Sequence, residues 1–459
     1  MLPRILTATL VTLGLLVAAH AGENWPMFRG PNADGLAPAQ ASLPSEWSDT
    51  KNVAWKTPIP GMGWSSPIVW GKKVFLTTAV SEGKENQPAK GLYMGSSAKS
   101  PNPHRWLVLC LDVETGKILW EKEVHKGAPA QTRHIKNTYA SETPATDGER
   151  VYAYFGNLGL FCFDMDGKQL WKKELGSYKT QWGWGTGASP VVYKDKLIII
   201  NDNEEKSFMV VLNKITGDEL WRTERQEKSN WATPYVWENE QRTEIVTAGS
   251  GRVRSYDLDG KLLWEFKGMS SITIPTPTAR DGQLYIASGY VMDKNKPVYA
   301  VRPGAKGDIS LKEGEEKNEF IAWKQPQAAG YHPSVLAVGP CVYVLQDQGF
   351  LCCYDAKTGK ALYSKTDSAG KKEFGKVRIH STAKSFTASP WHANGKVFCL
   401  SEDGDTYVVQ TGPEFKLLGR NSLNGEMCMA TPALLQDRLL IRTQGHLFCI
   451  KEGATPNGK

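Results

Sequence analysis

Glu142 and His332 are two residues of this 459-residue sequence whose type and place could do chemistry. Each stands within two residues of a proline that opens a recurring unit, where other units mostly carry Ala, Ser or Thr. A carboxylate at such a place could ligate a hard cation such as calcium or act as a general base. An imidazole there could bind a metal or shuttle a proton. The blander arrangement for Glu142 is a rim charge paired with Arg133, Lys136 or Arg150. Beside the same prolines stand Trp64, Trp184, Trp231, Tyr331 and Phe386, aromatic faces able to stack a planar ligand or a sugar. Other chemistry is missing: there is no Ser/His/Asp order, phosphate loop or zinc spacing. A single carboxylate also leaves the acid pair of a glycosidase incomplete.

The elements that must position these residues are written as a repeat. Units of about fifty residues start at Pro67, Pro144, Pro190, Pro234, Pro277, Pro333, Pro390 and Pro432. Each runs through two β-rich segments, reaches an Asp or Asn, turns on a Gly and ends on an aromatic. Asp112 to Trp120, Asn213 to Trp221 and Asp355 to Tyr363 are the strongest copies, with shorter ones at Asp164 to Trp171 and Asp257 to Trp264. Asx followed by Gly is hairpin chemistry, because the Asx side chain can bond the turn backbone and Gly accepts a positive φ. Each unit therefore reads as a four-stranded antiparallel meander whose apolar faces must stack on neighbours. The eighth unit lacks a fourth strand, and Val53 to Ile59 supplies one from the other end of the chain. The expected fold is all-β: an eight-bladed β-propeller of four-stranded antiparallel blades, closed by a composite blade from the N- and C-terminal strands. The docking position on the fourth strand is filled by Trp55, Trp120, Trp171, Trp221, Trp264 and Trp323, with Tyr363 and Leu418 in the remaining two blades.

Residues preceding the first strand of a blade line one mouth of a propeller's channel. Ser66, Thr143, Ser189, Thr233, Thr276, Ser389 and Thr431 stand there, with His332 in the sixth unit. Buried hydroxyls normally pair with backbone, so these should bond neighbouring blades. Two insertions, 81–105 and 303–319, are rich in polar and charged residues and read as solvated loops.

Residues 1–21 have the form of a secretory signal: Arg4, an apolar run from Ile5 to Ala19, and the small-x-small site Ala19-His20-Ala21. The reading is a signal peptide at 1–21, an N-terminal extension packed on the propeller at 22–52 and the propeller at 53–459, in a periplasmic or secreted monomer without a transmembrane segment after cleavage. The net charge of +7 comes from 55 basic and 48 acidic residues scattered along the chain, so nothing marks a nucleic-acid surface. Cys110, Cys162, Cys353 and Cys449 share one repeat position, filled elsewhere by Val211, Ser255 and Ala300. It is a slot for a small buried side chain, which makes these thiols structural. Cys352 and Cys353 are adjacent on one strand and point to opposite faces, which disfavours a bridge between them.

The segments Cys110 to Trp120 and Val211 to Trp221 resemble the Ala-x-Asp-x-x-Thr-Gly-x-x-x-Trp docking motif of the PQQ-like β-propeller repeat proteins. The opening Trp25 to Pro31, and Tyr139 to Pro144 and Gln181 to Pro190, are similar to a secreted bacterial subgroup. The resemblance covers essentially the whole mature chain and implies one of two roles. One is a non-catalytic propeller that binds an envelope protein partner or a small ligand at the channel mouth, with no cofactor. The other is a PQQ- and calcium-dependent alcohol or polymer-alcohol dehydrogenase, with Glu142 at the metal and an aromatic stacked on the quinone. The chain is shorter than those enzymes and has no haem Cys-x-x-Cys-His, so the expected role is the non-enzymatic one.

Overall fold

In the computed structural model residues 24–91, 97–366, 371–379 and 385–455 are described. The signal assigned to 1–21 and the centre of the first insertion lie outside them. The described residues contain no α-helix, and no helix is long and apolar enough to cross a membrane. Eight four-stranded antiparallel units follow one another as meanders, one of them with an added fifth strand. The first blade is Ile68–Trp70, Lys73–Ser81, His104–Asp112 and Ile118–Gly127. The last is Ala433–Leu434, Arg438–Arg442, His446–Lys451 and the N-terminal Val53–Pro58, whose Trp55 lies opposite Cys449. One blade is thus built from both ends of the chain, which closes the ring.

The docking tryptophans seal the seams between blades. Trp120 lies opposite Cys110, Trp171 opposite Cys162, Trp221 opposite Val211 and Trp323 opposite Ala300, so the small slot is the seat of the indole. Each ring then covers the turn glycine of the following blade. A Cβ on Gly116 would strike the Trp55 ring, and one on Gly217 the Trp171 ring; both glycines also sit at positive φ, 71° and 75°. Gly167, Gly260 and Gly359 meet Trp120, Trp221 and Trp323 in the same way. The Trp55, Trp120, Trp221 and Trp323 indoles donate to the carbonyls of Val113, Met165, Leu258 and Ala356, at 3.0, 3.2, 2.9 and 2.9 Å. Each acceptor is the residue after the turn Asp, so the turn chemistry and the seam are one device. All eight cysteines are free and buried.

Three seams depart from this pattern. Trp264 is fully buried and donates to the Glu244 carboxylate at 2.6 Å, because the fifth blade carries the 303–319 insertion in place of a glycine turn. That insertion is not a solvated loop throughout: Gly307–Asp308 pairs in parallel with Leu262–Phe266 as a fifth strand, held by Arg252 to Asp308 at 3.0 Å. Tyr363 is buried edge-on to Phe415, their centroids 5.4 Å apart. Leu418 does not dock; it is 42% exposed, and Gly419 lies opposite Val408 where a tryptophan would stand. The same bulge stands beside Trp120, Trp171 and Trp221, so Leu418 takes the outward place of Leu119, Leu170 and Leu220, and the docking place itself falls to a glycine. Trp47, from the segment before the first strand, covers this seam, with its ring 6.0 Å from Phe398 and its backbone N–H donating to Asn421 Oδ1 at 3.1 Å.

The same N-terminal segment crosses one face of the ring. Trp25 pairs with Val69 of the first blade, Thr146 of the second donates to Pro26, Arg29 donates to Val335 of the sixth, and Ala37 donates to His392 of the seventh. Phe28 lines the central channel at this end.

Candidate functional site

The channel cavity measures about 400 Å³. Its wall is a girdle of hydroxyls at the starts of the inner strands. The Ser66 N–H donates to Thr143 Oγ1, Thr143 to Ser189 and Ser189 to Thr233, at 2.9, 2.9 and 3.0 Å. Around the other side Thr276 donates to Ser334, Ser334 to Ser389 and Ser389 to Thr431, each at 3.0 Å. Every link joins one blade to the next, so the hydroxyls fix blade spacing. Each accepting oxygen keeps its own O–H as a donor on the channel surface.

This girdle corrects the register of the sixth unit. Ser334 fills the hydroxyl position there, after Pro333, and Val335 stands where other units place proline. His332 is therefore outside the girdle, although it does line the channel. Its Nδ1 lies 2.5 Å from the Asp347 carboxylate, which also accepts the Tyr331 N–H at 2.5 Å. The carboxylate accepts from Nδ1, which leaves Nε2 as the ring nitrogen outside that pair. Asp347 sits in the hairpin turn between Cys341–Gln346 and Phe350–Asp355, and in the sequence it reads only as a turn residue.

Trp64, Trp184, Trp231 and Tyr331 also line the channel. Backbone carbonyls anchor two of them: Trp64 donates to Lys136 O at 2.9 Å and Trp231 to Gly185 O at 2.7 Å. Sequence reasoning missed their neighbours Tyr290 and Trp182. Tyr290 lies 5.3 Å from Tyr331 and 6.5 Å from Trp184, and Trp182 lies 4.6 Å from Trp184. Trp182 stood inside the quoted Gln181 to Pro190 segment, but two positions from Trp184 no pattern gave its direction.

Phe386 and Glu142 are not part of this wall. Phe386 is fully buried against Tyr407, and its N–H donates to the Asp347 carbonyl. Glu142 is 2% exposed and turned into the protein, where Oε1 accepts the Gly156 N–H at 3.1 Å. Each cation expected beside it on the rim has another partner: Arg133 pairs with Glu85, Lys136 with Glu402, and Arg150 with Asp147 and Glu149. With Thr143 committed to the girdle, the preceding side chain points back into the blade. Burial without a cation pushes its pKa above the ordinary 4.5, although hydrogen bonds from Thr186 and Gly156 oppose the shift. The folded state therefore holds a proton that the unfolded chain releases. This stability is present below pH 4.5 and is lost as pH rises through the raised value. Glu142→Gln should raise the melting temperature at pH 7 and make little difference at pH 4. A gap between variant and parent that does not change with pH would contradict this protonation state.

No carboxylate lines the channel among the described residues. Two acids are engaged with lining residues, Asp347 with His332 and Glu402 with Lys136 at 2.6 Å. His134, also in the wall, is held neutral, its pKa lowered to about 4 by burial and then by Lys136, His332 and Arg133. Calcium takes six or more oxygen ligands, usually with carboxylates among them. The channel offers hydroxyls and imidazoles instead, and no group of three His, Cys, Asp or Glu among the described residues could hold a metal ion. A calcium–quinone pair does not fit this donor set.

The family model of the outer membrane protein assembly factor BamB matches residues 89–193 and 166–304. No curated protein matches the chain by sequence. Among solved structures, BamB from Moraxella catarrhalis superposes with a TM-score of 0.52 at 14% identity, covering 82% of this chain and 98% of its own. Quinohemoprotein alcohol dehydrogenase from Comamonas testosteroni gives a TM-score of 0.57 at 13% identity, over 96% of this chain and 83% of that one. A europium-containing methanol dehydrogenase gives 0.53 at 12% identity, over 93% and 91%. At such identities the likeness speaks for the fold, which assembly factors and dehydrogenases share.

Proposed function

Starting from a chain that is a β-propeller of the PQQ-like repeat family, we propose that it is an exported, non-catalytic binding protein of the cell envelope. Its channel mouth takes a small ligand or a partner. The observation that carries this reading is the channel wall itself: hydroxyls linked blade to blade, aromatic rings and a carboxylate-held imidazole, with no acid among the described residues of the lining. A calcium-dependent dehydrogenase of this fold would need hard-cation ligands at the ring centre, and among the described residues no acid lines it. Export rests on the signal-like residues 1–21.

The test is a titration of the purified mature protein with PQQ and calcium, following quinone absorbance and melting temperature, and then dye reduction with a panel of primary alcohols. The expected outcome is no saturable uptake and no alcohol-dependent reduction. Saturable uptake followed by dye reduction would establish the dehydrogenase instead.

A further inference from the structure

Trp182 is the residue whose geometry asks most for an explanation. It is 55% exposed, yet its backbone is held at φ 51°, ψ 16°, a region that side-chain-bearing residues seldom occupy. Three contacts enforce this conformation. Ser97 Oγ donates to the Trp182 carbonyl at 2.5 Å, Thr132 Oγ1 to the Gly183 carbonyl at 3.0 Å, and Asn137 to the Trp184 carbonyl at 2.8 Å. An exposed indole on a strained backbone gains nothing from core packing, and such strain concentrates at ligand-binding sites. The ring leans on Trp184 and Tyr290, both of which line the channel, so it extends the aromatic wall outward over the mouth.

We infer that this mouth is a binding site for a neutral saccharide, with Trp182 as the outer stacking platform; the inference rests on the binding reading above. The rings are tilted in succession, 54° between Trp182 and Trp184, 40° between Trp184 and Trp231, and 57° between Tyr290 and Tyr331. A flat fused ring needs parallel faces, whereas a curved wall suits a puckered ring with C–H bonds on both faces. The polar groups below match a polyol. His332 Nε2, outside the Asp347 pair, is a ring nitrogen able to bond a hydroxyl, and the girdle hydroxyls of Thr143, Ser189 and Thr233 have O–H groups to donate. The electrostatics favour neutrality, because Lys136 is compensated by Glu402 and no carboxylate lines the lumen among the described residues. The 400 Å³ cavity lies in the range of small-ligand sites.

The experiment uses the full mature protein and defined probes: neutral gluco-, xylo-, manno- and N-acetylglucosamine oligomers, with an oligogalacturonate as the anionic arm, followed by calorimetry and tryptophan fluorescence. At least one neutral oligomer should bind saturably. Trp182→Gly suits the positive φ, so it should keep or raise the melting temperature while weakening binding at least about tenfold. Trp182→Phe should stay within about threefold of the parent, and His332→Phe should weaken binding while the protein stays folded. No neutral binding at about 10 mM, a preference for the anionic oligomer, or affinity unmoved by Trp182→Gly would each overturn the saccharide assignment. These outcomes leave the broader binding reading standing, since only the quinone and dye assay decides that.

Discussion

Replacing Trp264 by alanine is expected to cost about 4 kcal/mol, close to half the stability of an ordinary domain. The side chain is fully buried, stacks on Phe266 with centroids 6.1 Å apart, and supplies one of the donors to Glu244, itself fully buried. Alanine therefore leaves a cavity and also removes a hydrogen bond from a carboxylate that solvent cannot reach. Ser255, Asn239 and Arg242 still contact Glu244, so the charge is weakened in its solvation rather than abandoned. Trp171 is the internal control. Its ring is only partly buried and its indole N–H has no partner, so Trp171→Ala should cost about half as much. Denaturant midpoints at unchanged m-value measure the difference. Equal costs would mean that seam packing alone, without the Glu244 bond, sets the price.

Arg225→Met should be comparably damaging, at about 3–5 kcal/mol, for an electrostatic reason. The guanidinium and the Asp202 carboxylate are both buried and meet through two bonds, Nε to Oδ1 at 2.8 Å and Nη2 to Oδ2 at 3.1 Å. Nη1 also donates to Thr247 and Tyr256 at 2.8 and 3.1 Å. Methionine preserves volume but strands the carboxylate, whose remaining contact is a long one from Asn230 at 3.4 Å. Arg225→Met combined with Asp202→Leu should recover most of the loss, because the pair removed together leaves no buried charge. A double variant as unstable as the single one would show that the arginine acts through packing.

Both residues illustrate where sequence reading stops. Trp264 was legible as a docking tryptophan because it ends an Asp-Gly turn at the repeat spacing. Its partner was not, since Glu244 lies on another strand and the fifth blade's insertion displaced the expected glycine. Asp202 and Arg225 carry no signature, being 23 positions apart and joined only by the connections between strands. The channel behaves likewise. The hydroxyl girdle and four of its aromatics followed from counting back from the repeat prolines, a local rule. Glu142 and Phe386 obeyed the same rule and fall outside the wall, because nearness to the proline does not say which way a side chain points.

What the sequence by itself determined is whatever repeats: eight blades, composite closure, the docking tryptophans and the slot for a small buried side chain. A repeat reports the same local solution many times, so turn chemistry and strand alternation are enough to read it. What only the tertiary structure decided is whatever occurs once. Ser334 replaced His332 in the girdle because one blade shifts its start, Trp47 sealed a seam that Leu418 left open, and Trp182 came to stand over the mouth. Each depends on segments far apart in the chain meeting across a closed ring, and that geometry exists only once all eight blades have docked.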